Sequence, residues 1–171
     1  MSVTVYEPAP MPANEEARQQ VVAASGALDA RSDAVLQSLV EEATASLGTG
    51  MAAISIVYKE WQYLIAAVGM APGVYSRRTS LCGHAIAASE QIFCIGDMQA
   101  DDRFAGNPVV TDDQQLRFYA GAVLTDGEGV PLGTLCVFDQ QARAVLDAAE
   151  RARLHALAAR VMARLSELRS A

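Results

Sequence analysis

The side chains best suited to chemistry gather in residues 80–139, which hold all three cysteines and one of the two histidines. Cys82 and His84 stand two apart in S-L-C-G-H-A-I-A at 80–87. On a helix that spacing points them to nearly opposite sides, so they cannot share a metal, although on a turn they could. No second Cys or His follows at a short ligand spacing, and a structural zinc needs four ligands, usually in close pairs. No metal is therefore expected. Cys82 reads as a small buried residue at a helix start, or, if exposed, as a thiol made reactive by the helix N-terminus. His84 reads as a hydrogen-bonding brace ahead of a base. Cys94 sits inside an apolar strand, and Cys136 alternates with Thr134 and Phe138 on one strand face. Neither brings a nucleophile, a base and an orienting acid together.

The acids follow in D-M-Q-A-D-D-R-F-A-G-N-P-V-V at 97–110. Asp101 or Asp102 can simply pair with Arg103, and Asn107-Pro108 can make a turn. Alternatively, one or two of Asp97, Asp101, Asp102, Arg103 and Asn107 orient a ligand above a sheet. Phe104, Phe118 and Tyr119 would then form the apolar wall. No Ser-His-Asp order, glycine-rich phosphate loop or metalloprotease motif occurs. The glycines of 127–133 join two strands and do not open a helix, so they form no phosphate cradle.

These residues need a scaffold, and hydrophobic periodicity supplies one. Spacings of three and four predict helices at 14–25 and 31–47, broken at Gly26 and stopped by Gly48. Residues 51–58 and 61–68 read as a hairpin with a two-residue turn. A loop is expected at 69–79, and then a short helix at 81–89 with Ser80 as its N-cap. Strands are expected at 91–95, 117–124 and 132–139. The segment 96–116 shows little periodicity, and so long a loop in a compact domain is often functional. The last helix, 146–168, carries Leu154, Leu157, Val161, Leu165 and Leu168 at steps close to the 3.5 repeat of a helix seam. That pattern suggests a homodimer through the terminal helices, or packing on the chain's own sheet. The fold class is α+β: an antiparallel sheet of five or six strands with helices on both faces. The end helices would cover one face, and the middle helix and long loop the other.

The chain has 171 residues, enough for one domain with a single core. Residues 1–13 read as a flexible tail with Pro8, Pro10 and Pro12, and 14–171 as the domain. A formal net charge of −7 argues against nucleic acid and anionic membranes as partners. No segment has the ~20 apolar residues of a membrane span, and the start lacks a signal-peptide pattern. Three free thiols suit a cytoplasmic protein.

Taken together, S-x-C-x-H-A-I at 80–86, D-x-x-x-D-x-R-F at 97–104, N-P-x-V at 107–110, R-F-Y-A-G-A at 117–122 and G-T-L-C-V-x-D at 133–139 resemble a GAF domain. They are most similar to the sensors of bacterial two-component and cyclic-di-GMP signalling proteins. The resemblance implies a small molecule bound between the sheet and the loop–helix layer, with Cys82, His84, Asp97, Arg103, Phe104, Asn107, Arg117, Tyr119 and Cys136 as candidate pocket residues. It also implies a signal relayed through terminal helices to a histidine kinase or diguanylate cyclase. With no output domain before Ala171, the chain is expected to act alone, in trans or as an excised piece. Bilin and cyclic-nucleotide signatures are missing, so the cofactor is left unnamed. A second GAF branch, the free methionine-R-sulfoxide reductases, has a cysteine resembling Cys82. Its catalytic cysteine would fall in 104–107, where this chain has none. The expectation is a non-enzymatic sensor, with a thiol reductase, a redox sensor using Cys82 with Cys94 or Cys136, or a ligand-free dimerisation module as alternatives.

Overall fold

The structure, a computed structural model, describes residues 5–112 and 114–171. Two helices lead: α1 (Glu15–Ser25) and α2 (Ala34–Leu47), joined through a 3₁₀ turn at Ala27–Asp29. Gly26 and Gly48 end them in the left-handed conformation that a Cβ disfavours. The Asp33 carboxylate caps α2 by accepting from Leu36 N. Strands β1 (Met51–Tyr58) and β2 (Trp61–Val68) form the expected hairpin.

The loop expected at 69–79 contains a further strand, β3 (Gly73–Ser76), paired with β2 from Trp61 to Leu64. It is short, exposed and glycine-bearing, so only Val74 and Tyr75 favour a strand and the pairing comes from β2. The remaining elements are α3 (Leu81–Ala87), β4 (Ile92–Ile95), α4 (Pro108–Thr111), β5 (Phe118–Thr125), β6 (Pro131–Asp139) and α5 (Ala148–Ser170). The described strands form one antiparallel sheet in the order β3-β2-β1-β6-β5-β4.

Strand alternation divides the core in two. On one face α1, α2 and α5 pack on Ile54, Phe118, Ala120, Leu135 and Val137. On the other, α3 and the segment after β4 pack on Ala53, Val57, Tyr119, Cys136 and Phe138. Leu154, Leu157, Val161 and Leu165 are buried in the first of these cores, and Leu168 packs against it. The seam thus packs on the chain's own sheet, one of the two expected readings of that spacing.

The segment expected to lack structure also needs correction. It contains a 3₁₀ turn at Met98–Ala100 and the short helix α4, each started by a side-chain cap from Asp97 or Asn107. The tail, expected to be mobile, is held from Glu7 to Ala9. Glu7 N donates to Arg103 O at 2.9 Å and Ala9 N donates to Arg78 O at 3.0 Å. A Cβ on Gly83 would lie 2.7 Å from that of Ala9, so the glycine of C-G-H is what lets the tail cross α3.

Candidate functional site

The Ser80 hydroxyl starts α3 by accepting from Gly83 N at 2.9 Å and donates to Arg77 O at 2.7 Å. This fixes Cys82 in the first turn, facing the middle of the sheet. β6 presents Thr134 and Cys136 to it and β5 presents Tyr119, because alternate residues share a face. All four are nearly solvent-free. The Cys82 sulfur receives a hydrogen bond from Thr134 Oγ1 at 3.1 Å and one from Tyr119 Oη at 3.5 Å. Its Sγ lies 3.8 Å from Sγ of Cys136. Hydrogen bonding from Cys136, then from Thr134 and Tyr119, outweighs burial and draws the Cys82 thiol down to about 6. Burial holds the Cys136 thiol and the Tyr119 phenol above their usual ranges. Of the two thiols, Cys82 is thus the more acidic.

Cys94 lies elsewhere. In β4 it alternates with Phe93, so it turns to the helical face with α5 while Phe93 turns to α3. Burial raises its thiol.

A second group surrounds His84. Its ring stacks near Phe93 and meets Phe104 edge-on at 4.8 Å. Its Nε2 lies 3.0 Å from Glu7 O, which can only accept, so Nε2 carries the proton. Burial depresses the imidazole below its ordinary range and keeps it neutral. The Arg103 guanidinium roofs Phe104 at 5.0 Å and Phe93 at 5.7 Å while paired to Asp101. Asn107, fully buried, accepts from Val109 N and donates to Thr79 O, tying α4 to the start of α3. Asp97 and Arg117 form a two-bond ion pair at the base of the segment, and each pulls the other toward its charged form.

A cavity among the described residues reaches Cys82. It measures 70 Å³ and is lined by Gln62 and Leu64 of β2, Met70, Tyr75, Thr79–Cys82, Val109, Gln114, Leu116 and Phe138. Larger grooves of 400, 390 and 410 Å³ are more open and lie away from the sulfur cluster. Of the nine sequence candidates, Cys82 lines the cavity. Tyr119 and Cys136 stand behind it. His84, Arg103, Phe104 and Asn107 brace the overlying layer, while Asp97 and Arg117 pair at its edge. Sequence reading passed over Thr134 and the lining from β2 and Leu116. A hydroxyl in the run L-G-T-L-C-V, facing the same way as Cys136, was the available signal.

No family model matches the chain. Over 161 residues, 94% of its length, it is 38% identical to a cyclic di-GMP phosphodiesterase of Pseudomonas aeruginosa, and the match spans 27% of that protein. Among solved structures it resembles the GAF domain of a phosphoenolpyruvate-protein phosphotransferase from Coxiella burnetii. There the TM-score is 0.66 at 15% identity, over 92% of this chain and 98% of that one. The corresponding GAF domain from Acinetobacter gives 0.65 at 15%, over 94% and 97%. A type II free methionine-R-sulfoxide reductase from Thermoplasma acidophilum gives 0.62 at 16%, over 80% and 92%. Sheet order, the helices on both faces and these likenesses agree that the chain has the fold of a GAF domain.

Proposed function

We propose that the chain is a non-enzymatic sensory GAF module that binds a small molecule between its sheet and the α3–α4 layer. The observation that carries this reading is the cavity beside Cys82. Its floor is the rigid sheet, and its roof is a short helix, a single helical turn and loops. Such a roof can move at small cost, whereas the opposite face is sealed by three helices. At 70 Å³ the space holds about two waters, so a metabolite would enter by lifting α4 and the 114–116 segment.

The match to part of a cyclic di-GMP phosphodiesterase supports a regulatory role in signalling. A kinase, cyclase or phosphodiesterase unit, in trans or attached, is the kind of output it would control. Relay would pass through the sheet to α1 and α5, whose outward faces remain free for self-association. The absence of a cysteine from the 104–107 turn weighs against a reductase reading.

A thermal-shift screen of a metabolite library against the chain and Val109→Trp tests this. Val109 lines the cavity, and a tryptophan there fills it. The expected result is a compound that raises Tm by several degrees in the native chain and not in the variant. Equal shifts in both chains, or none across the library, would contradict the proposal.

A further inference from the structure

Beyond ligand sensing, and independent of it, the buried sulfur pair has chemistry of its own. We propose that Cys82 and Cys136 form a dithiol site that a small hydroperoxide oxidises to a disulfide. Four features support it. The sulfurs already touch at 3.8 Å, on elements packed directly together, so bonding requires only that they close to about 2.05 Å. Cys82 lines a 70 Å³ cavity, space enough for hydrogen peroxide. Thr134 and Tyr119 aim their hydroxyls at the Cys82 sulfur and stabilise negative charge there. Cys94 sits on the opposite face of the sheet and cannot compete.

The roles follow from the hydrogen bonding. Cys82 is the more acidic of the two thiols and so the attacking one, while burial keeps Cys136 protonated. The Cys82 thiolate attacks one peroxide oxygen. The O–O bond breaks, the second oxygen leaves and takes up a proton, and Cys82 becomes a sulfenic acid. The Cys136 sulfur then attacks the Cys82 sulfur. The S–O bond breaks, and the hydroxide departs as water with the Cys136 proton. Two thiols and one hydroperoxide thus give one disulfide, one water and one alcohol, or a second water from hydrogen peroxide. Two electrons pass from sulfur to oxygen. The new bond ties the first turn of α3 to β6, draws the cavity roof onto the sheet and closes the space beside it.

The test treats the reduced full chain and a Cys94→Ser variant with hydrogen peroxide. Intact mass is read directly, and peptide mapping follows alkylation of remaining thiols in denaturant. Both chains should lose about 2 Da, yield a linked peptide pair containing Cys82 and Cys136, and return to the reduced mass with dithiothreitol. In Cys136→Ser, dimedone should label Cys82, since the sulfenic acid has no partner. Because Cys94→Ser leaves the buried cluster intact, its map decides the matter even if Cys136→Ser folds poorly. Links between chains only, links through Cys94, or failure to form the Cys82–Cys136 link at peroxide levels that oxidise free cysteine would overturn the proposal.

Discussion

At the scale of residues, two glycines in the motifs act by leaving room. A Cβ on Gly121 would collide with the Tyr119 hydroxyl, because the tyrosine ring folds back along its own strand toward Cys82. A Cβ on Gly133 would collide with the Ser55 carbonyl across the β1–β6 pair. Gly121→Ala should therefore displace Tyr119 from a fully buried position and destabilise the chain by about 1–3 kcal/mol. Urea unfolding measures this, and an unchanged midpoint would contradict the packing described. The motif Y-A-G-A showed that a glycine was needed in a strand, but not that its partner was two residues back. The candidate residues were legible as types and less so as a site. Asp101–Arg103 and the Asn107 turn matched their simplest readings because those partners are local. Thr134 and Cys136 lie 52 and 54 positions from Cys82 and meet it only through the packing of α3 on β6.

At the scale of elements, one acid holds three together. Glu15 of α1 pairs with Arg18 at 2.8 Å and with Arg77, after β3, at 2.6 Å. Arg77 also donates to Lys59 O in the β1–β2 turn, and Arg18 to Pro131 O at the start of β6. Both arginines are almost wholly buried. Burial pushes the Glu15 carboxyl up, but hydrogen bonds from Arg18, Arg77 and Gln19 prevail and lower it from 4.5 to about 2. A carboxyl lowered on folding contributes its full stability above the unfolded value and loses it as pH falls through the folded one. Stability should therefore decline from pH 4.5 toward pH 2. Glu15→Gln should flatten that decline and cost about 3–5 kcal/mol at neutral pH, since it leaves buried guanidinium charge unpaired. Denaturant midpoints across pH test both, and a full acid response in the variant would count against this tie. Regular elements were legible because periodicity and caps are local signals. β3 was not, because an edge strand borrows its order from its neighbour, and α4 was hidden because it is a single capped turn.

At the scale of the whole molecule, the sheet separates two layers of different character. Long helices seal one face with a continuous apolar core, while short capped segments, a strap from the tail and a small cavity cover the other. A signal starting at the second face must cross the sheet, and β5 and β6 are the strands that touch both Cys82 and α5. The order of layers could be read from the sequence. The apolar seam of α5 was ambiguous because a heptad-like stripe suits a sheet as well as a partner helix. Hydrogen–deuterium exchange of the full chain, with and without the compound giving the largest thermal shift, tests the sensing account most directly. The prediction is slower exchange at 79–88, 104–112 and 114–116 together with altered exchange in α5. Protection away from the cavity, or protection there with α5 unchanged, would contradict it.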